Sequence, residues 1–157
     1  MTTSPVTFLL LFVMVVQIYG GIIQFGFMIE KMVHRSALKS YAFYGCHCGA
    51  GGSGWPVDEI DWCCHVHDCC FESITTKRCY PYWVFYRYHH NNEDITCLDE
   101  PLDGCARKAC ECDRTAALCF KRYDSAYSSS NNFLSKSTRC KELQPPCHIS
   151  PLTWNQS

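Results

Sequence analysis

The segment DWCCHVHDCC, residues 61–70, decides the fold because it places four cysteines, two histidines and two aspartates within ten residues. Zinc sites, disulfide frameworks and hydrolytic centres all use these side chains. A structural zinc site takes its ligands in pairs that are roughly two to four residues apart. Here the cysteines form adjacent doublets, and neighbouring residues on a helix point about 100° apart, so a doublet cannot hold one ion. The pattern therefore favours disulfides that tie one helix to different neighbours.

Cysteine usage and the N-terminus both indicate export. All 14 cysteines of the 157-residue chain lie between Cys46 and Cys147, which is typical of a disulfide framework in an oxidising compartment. Residues 1–20 carry no charge and contain an apolar run from Val6 to Val16. That run is shorter than the ~20 apolar residues that span a bilayer. We expect a secretory signal peptide at 1–20, with a buried N-terminal helix as the alternative.

Length and charge restrict the class of protein further. The length corresponds to one domain, expected at residues 21–157. The 14 Lys and Arg residues nearly balance the 15 Asp and Glu residues. This balance argues against nucleic acid as the principal partner and against purely electrostatic adsorption to anionic lipid, since both require a positive surface.

The spacing of apolar residues and glycines predicts a mainly α-helical, disulfide-rich fold. The N-terminal helix could face the core or a membrane surface. In the helix over 57–74, which follows Pro56, we expect Asp58 and Glu59 to lie in the first turn. The predicted elements are a helix over 21–35, a glycine-rich loop over 44–56, a helix over 57–74, a hairpin with a strand over 80–90 and a return strand within 91–97, and a second long helix over 104–123.

Matched cysteine spacing predicts how the two long helices meet. Cys63 and Cys70 are seven residues apart, and Cys112 and Cys119 have the same separation. Seven residues are about two helical turns, so each pair lies on one face. Two antiparallel helices can then be joined twice, as Cys63–Cys119 and Cys70–Cys112.

This arrangement brings a histidine towards a carboxylate. His67 lies between Cys63 and Cys70 on the same face, where it can meet Asp113 of the partner helix. A carboxylate that accepts from one imidazole nitrogen leaves the other nitrogen as a base. Spacing alone leaves open a purely structural pair. Asp68 and the carbonyls of the glycine-rich loop are oxygen ligands of the kind that calcium takes, which points to attack by water on a carbonyl polarised by the metal.

The motifs together resemble the secreted phospholipase A2 family. The segments YGCHCGAGGSG, DWCCHVHDCC and CECDRTAALCF are similar to its calcium loop, active-site helix and second helix, and CYPYWVFYRYHHNNEDITC is similar to its β-wing. The resemblance covers about Ile22 to Cys147. The N-terminal helix and a cysteine-terminated extension, here about 141–157, resemble group II, nearest the group IIE enzyme.

The resemblance implies a role for individual residues. His67 would be the general base, Asp113 the carboxylate that orients it, and Tyr86 a phenol that hydrogen-bonds Asp113. Calcium would be held by Asp68 and three loop carbonyls, and the Gly49 amide would help to stabilise the oxyanion. The loop carbonyls are those of His47, Gly49 and Gly51. The residues expected to line the substrate slot or the lipid-facing surface are Ile22, Ile23, Phe25, Phe27, Ile29 and Trp55.

The resemblance also implies a complete set of disulfides, of which spacing alone predicts two. The seven pairs are Cys46–Cys140, Cys48–Cys64, Cys63–Cys119, Cys69–Cys147, Cys70–Cys112, Cys79–Cys105 and Cys97–Cys110.

Three features depart from the family pattern. Phe71 stands where a second tyrosine usually supports the active-site carboxylate, so one hydrogen bond to Asp113 is lost and activity should be retained or lowered. His47 replaces a common aromatic residue, but its expected ligand is the backbone carbonyl. The tail after Cys147 is longer than usual, and it contains Trp154 and a glycosylation sequon at Asn155.

The sequence thus predicts a secreted, monomeric phospholipase A2 that uses Ca²⁺ and acts peripherally on phospholipid surfaces. It would cleave the sn-2 ester and release a fatty acid and a lysophospholipid. With nearly balanced charge, apolar contacts should contribute more to surface binding than Lys and Arg. The alternative is a catalytically weak, phospholipase-like protein that acts by binding a receptor.

Overall fold

The computed structural model describes residues 4–18, 20–91 and 93–152. Trp154 and the sequon at Asn155 lie outside these ranges. The helices are α1 (Pro5–Ile18), α2 (Gly20–Val33), α3 (Ala37–Tyr41), α4 (Glu59–Ile74), α5 (Cys105–Arg122) and α6 (Lys136–Arg139), with short 3₁₀ turns at Asp124–Ala126 and Ser129–Asn131. The strands β1 (Tyr88–His90) and β2 (Ile95–Cys97) form an antiparallel pair in which His89 lies opposite Thr96.

Helices α4 and α5 form the centre of the fold, and α2 packs against α5. Disulfides Cys63–Cys119 and Cys70–Cys112 join α4 to α5 at two points two turns apart, which makes the helices antiparallel. Apolar side chains of α2 and α5 fill the core between the helices. The buried residues among these include Met28, Ile29, Met32, Ala109, Ala117 and Phe120.

Seven disulfides hold this core and the loops around it. They are Cys46–Cys140, Cys48–Cys64, Cys63–Cys119, Cys69–Cys147, Cys70–Cys112, Cys79–Cys105 and Cys97–Cys110. These are the same pairs that the family resemblance implies, and the chain has no free cysteine. The mainly α-helical, disulfide-rich fold class predicted from the sequence is confirmed.

The long aromatic strand predicted over 80–90 is wrong in its first part. Residues 80–83 form a turn, closed by the Trp83 amide on the Tyr80 carbonyl, and only Tyr88–His90 is a strand. The backbone of Tyr86 pairs with a side chain instead, since Gln24 Oε1 accepts from its amide at 3.1 Å and Gln24 Nε2 donates to its carbonyl. The part of the aromatic run before β1 therefore packs beside α2 rather than in a sheet.

Helix α4 begins two residues later than the pattern predicts. Asp58 is its N-cap and not a first-turn residue, because the Asp58 side chain accepts from the Asp61 amide at 2.9 Å. Glu59 does lie in the first turn, as expected. The sequence pattern does not predict the short helices α3 and α6.

Helix α1 exposes a run of apolar side chains. Val6, Phe8, Leu9, Leu10 and Leu11 are each 59–68% exposed. No helix within the ranges that the structure describes is long and apolar enough to cross a bilayer.

Candidate active site

A histidine and a carboxylate meet between the two central helices. His67 on α4 lies with Nε2 2.6 Å from Oδ1 of Asp113 on α5. Asp113 is fully buried, and its second oxygen accepts a hydrogen bond from the Tyr86 hydroxyl. Because a carboxylate only accepts, His67 Nε2 carries the proton in this contact and the Nδ1 lone pair faces away from Asp113.

The His67 imidazole is held between two aromatic rings. Phe25 of α2 stacks on it with ring centroids 4.4 Å apart and planes inclined by 14°. Phe71, one turn further along α4, lies 4.2 Å away on a tilted plane. These contacts fix the ring orientation and exclude water from much of its surface. Phe71 thus contacts the imidazole through its ring alone, while the phenol near this site is that of Tyr86.

Burial dominates the electrostatics of Asp113. Desolvation raises the pKa of its carboxyl, because the charged form is taken out of water. The hydrogen bonds from His67 and Tyr86 act in the opposite direction and favour the carboxylate. Burial, together with the nearby Asp113 carboxyl, raises the pKa of the Tyr86 phenol, so this group stays a neutral donor.

Asp68, the residue after His67, faces the glycine-rich loop. Burial raises the pKa of its carboxyl to about 6, and positive charge on His67, His47 and Lys136 would lower it. Its Oδ2 lies 3.9 Å from His47 Nδ1, which is beyond hydrogen-bond distance. Among the contacts of described residues, His67–Asp113 is therefore the histidine–carboxylate pair with hydrogen-bond geometry, and Asp68 is left available to a cation.

The loop over 44–56 is shaped by glycine and by a buried aspartate. Gly49 has φ +91°, and a Cβ there would lie 1.9 Å from the Ala42 carbonyl oxygen, so only glycine fits. Asp61 in the first turn of α4 is fully buried. It accepts from the amides of Cys46, His47 and Val57 at 2.7, 2.8 and 2.9 Å. This clamp holds both ends of the loop against α4.

The donor set around Asp68 fits calcium better than a side-chain-rich metal centre. No group of three or more His, Cys, Asp or Glu side chains suited to a metal occurs in the described part of the chain. A metal here would be held by Asp68, a carboxylate to which the structure assigns no hydrogen bond, and by loop carbonyls. Carboxylate and carbonyl oxygens are the ligands of a hard cation such as calcium. His47, Gly49 and Gly51 are therefore compatible with the ligand role expected for their carbonyls.

The residues expected at the slot and at the lipid-facing surface occupy different environments. Phe25 stacks on His67, whereas Ile29 is 4% exposed and belongs to the core. Ile22, Phe27 and Trp55 are 49%, 54% and 46% exposed. Of the expected residues, Phe25 therefore contacts the histidine directly, and Ile22, Phe27 and Trp55 present exposed apolar surface.

Four contributors to the site were not singled out from the sequence. Gln24 holds the backbone of Tyr86, Asp61 clamps the loop, and Lys136 donates to the Gly51 carbonyl at 2.9 Å. Tyr82 packs edge-on against Phe71 at 4.9 Å, and burial together with Asp68 and Asp113 raises the pKa of its phenol. Of these four residues, only Asp61 stands out in the sequence, because it is the first residue of the cysteine-rich segment 61–70.

Comparison with known proteins identifies the family. The phospholipase A2 family model matches residues 22–132. A phospholipase A2 of Pithecopus azureus is 44% identical over 140 residues, which cover 89% of this chain and 95% of that protein. The human group IIE secretory phospholipase A2 is 43% identical over 148 residues, 92% of this chain and 99% of its own length. A basic phospholipase A2 of Protobothrops flavoviridis, PL-X', is 47% identical over 109 residues, 69% of this chain and 76% of its own. The chain belongs to the phospholipase A2 family.

Proposed function

We propose that this protein is a secreted, calcium-dependent phospholipase A2 that hydrolyses the sn-2 ester of glycerophospholipids at membrane or lipoprotein surfaces. The observation that carries the proposal is the 2.6 Å contact between His67 Nε2 and the buried Asp113. A histidine oriented in this way has one nitrogen free to take a proton from water. The products are a free fatty acid and a lysophospholipid.

His67 acts as the general base. Its Nδ1 takes a proton from water as the hydroxyl oxygen forms a bond to the sn-2 carbonyl carbon. Asp113 stabilises the resulting imidazolium through Nε2, and Tyr86 keeps Asp113 in place. When the tetrahedral intermediate breaks its bond to the glycerol oxygen, Nδ1 returns the proton to that leaving group. No side chain forms a covalent intermediate, and every cysteine is committed to a disulfide.

Calcium, bound by Asp68 and the carbonyls of His47, Gly49 and Gly51, would polarise the ester carbonyl and offset the charge of the phosphate. The residues themselves supply the rest of the site. The Gly49 amide donates to the developing oxyanion. Phe25 and Phe71 keep the imidazole dry and oriented.

Secretion and action at a lipid surface complete the proposal. Residues 1–20 act as the signal peptide, which agrees with the exposed apolar face of α1. The mature domain then begins near Gly21 and acts as a monomer that binds phospholipid peripherally. Ile22, Phe27 and Trp55 present apolar surface for this contact. Two observations support an extracellular location. One relative is described as a secretory phospholipase A2, and the chain forms seven disulfides.

The test is fatty-acid release from phospholipid vesicles by the disulfide-bonded protein. Release is expected with millimolar calcium, and it should disappear with a chelator or in His67→Gln. A folded protein that releases no fatty acid from several lipids would overturn the proposal and favour the receptor-binding alternative. Phe71→Tyr would then be the first change to make, since it restores the family's second phenol.

A further inference from the structure

The side chain of His47 presents an unused metal ligand to the calcium loop. Its Nε2 lies 2.9 Å from the Gly54 carbonyl oxygen, which can only accept, so Nε2 carries the proton. The other nitrogen, Nδ1, then holds a lone pair. His47 is 1% exposed, and Nδ1 is a buried atom to which the structure assigns no hydrogen-bond partner. A buried acceptor of this kind requires an explanation, because such groups are normally satisfied.

That lone pair and Asp68 are separated by a distance that one ion can bridge. Asp68 Oδ2 lies 3.9 Å from His47 Nδ1. Zinc bonds of about 2.0–2.2 Å to nitrogen and oxygen can join two atoms up to about 4.2 Å apart. A shift of the Asp68 side chain, 32% exposed, would bring the two ligands towards a tetrahedral angle.

Gly52 lies close to both of these atoms. A Cβ at this residue would lie 2.4 Å from His47 Nδ1 and 3.0 Å from Asp68 Oδ2. Any other residue would therefore place carbon against both ligands. Glycine at this position therefore keeps side-chain carbon away from both ligand atoms.

We propose that His47 Nδ1 and Asp68 Oδ2 bind a borderline divalent ion such as Zn²⁺, with water and loop carbonyls completing its coordination. Imidazole nitrogen suits zinc, copper and nickel, whereas calcium takes oxygen ligands. The site therefore selects a different class of metal from the calcium site and shares Asp68 with it. Zinc and calcium should exclude each other because both need Asp68. This mutual exclusion rests on the proposed calcium site, whereas zinc binding by itself does not depend on the proposed function.

The binding test is calorimetric titration of the calcium-free, disulfide-bonded protein with zinc chloride. We expect one site that His47→Phe removes without affecting the backbone carbonyl of that residue. Loss of even an outer-sphere partner costs about 10–100-fold in metal affinity, so loss of this ligand should cost at least about tenfold. His89→Phe is the matched control, because it removes an exposed histidine on β1 and should leave the site unchanged. Equal zinc affinity in His47→Phe and the unchanged protein would overturn the proposal.

A second pair of measurements separates the two metals. Asp68→Asn should lose both ions, and calcium should weaken zinc binding to the unchanged protein in proportion to its concentration. If calcium binding and hydrolysis are absent while zinc still binds, the proposed function fails and the zinc site stands. Zinc binding that is indifferent to Asp68→Asn would overturn the site.

A crystal of the unchanged protein soaked in zinc gives an answer independent of any variant. An anomalous peak at the zinc edge is expected within about 2.0–2.2 Å of both His47 Nδ1 and Asp68 Oδ2. Peaks confined to other histidines, such as His89 or His90, would contradict the proposal even if His47→Phe failed to fold.

Discussion

Tyr86 is the tyrosine that hydrogen-bonds the carboxylate beside His67. Its hydroxyl donates to the buried Asp113, and Phe71 has no hydroxyl that could donate a second hydrogen bond to this carboxylate. Tyr86→Phe should therefore lower the free energy of unfolding by about 1.5–3 kcal/mol, the usual contribution of a hydrogen bond to a charged group. The turnover number should fall as well, since Asp113 would be held less firmly. Chemical denaturation with the disulfides intact and a vesicle assay measure the two effects.

A compensating substitution makes this prediction specific. Phe71→Tyr should restore part of the loss in a Tyr86→Phe background, because a phenol on α4 can take over donation to Asp113. Tyr80→Phe, at a 56% exposed tyrosine, is the control for loss of a phenol as such. Strictly additive effects of Tyr86→Phe and Phe71→Tyr would show that the two positions do not share a partner.

Lys136 places a positive charge beside the proposed calcium ligands. Its ammonium donates to the Gly51 carbonyl at 2.9 Å, and its charge lowers the pKa of Asp68. Lys136→Gln should tighten calcium binding, because a competing cation is removed. Exposed charge pairs contribute about 0.2–1 kcal/mol, so the expected gain is about 1.4–5-fold in the dissociation constant. Calcium titration followed by calorimetry measures it.

The matched control for this effect lies on the same short helix. Arg139→Gln removes an equal charge from α6 and should change calcium affinity less than Lys136→Gln. Equal gains from both substitutions would assign the effect to net charge rather than to the contact with Gly51.

At the scale of elements, the loop and α4 are joined through Asp61. Three backbone amides donate to this buried carboxylate. Asp61→Asn would place an NH₂ group against backbone amides that need an acceptor. The substitution should therefore destabilise both the fold and the conformation of the loop. We expect a loss of roughly 2–4 kcal/mol in unfolding free energy and weaker calcium binding. Glu59→Gln, at an exposed acid in the same turn, should change neither quantity appreciably.

The two disulfides between α4 and α5 should differ in their effect on activity. They close loops of similar length, with separations of 56 and 42 residues, so removing either should cost a similar ~2–5 kcal/mol. Cys112 adjoins Asp113, whereas Cys119 lies nearly two turns away. Paired alanine substitutions at Cys70 and Cys112 should therefore lower activity of the folded fraction more than those at Cys63 and Cys119. Equal specific activities of the two variants would show that Cys70–Cys112 does not position Asp113 more than Cys63–Cys119 does.

The elements also show what local pattern can and cannot predict. The long helices follow from helical spacing, and two of their disulfides follow from the matched seven-residue intervals. The prediction of a long aromatic strand is wrong because the β-forming composition of the run outweighs Pro81 in a local pattern. The backbone amide of Tyr86 instead donates to Gln24, 62 residues away. His67 and Asp113 were predictable because the disulfides register their helices. Asp61 and Lys136 act through tertiary contacts that spacing does not encode.

At the scale of the whole molecule, charge and exposed aromatic surface determine how the protein meets lipid. The net charge is −1, so attraction to anionic vesicles should be weak and little affected by salt. Gly21 packs against the carbonyls of Pro81 and Tyr82, so the start of α2 adjoins the aromatic segment. Tyr82 in turn contacts Phe71 beside His67. Apolar surface therefore lies next to the active site and should supply the affinity for lipid.

Trp55 tests this conclusion because the residue is 46% exposed and its ring rests edge-on against Trp62. Burying about 40–80 Å² of that exposed surface in a lipid interface would contribute about 1–2 kcal/mol at about 25 cal/mol per Å². Trp55→Ala should then weaken binding to zwitterionic vesicles by about 5–30-fold, measured by sedimentation of sucrose-loaded vesicles. Turnover of a dispersed short-chain substrate should be unaffected. Leu143→Ala, at a 91% exposed residue of the C-terminal extension, is the control. If Leu143→Ala weakens binding and Trp55→Ala does not, the lipid-facing surface includes the extension rather than the loop.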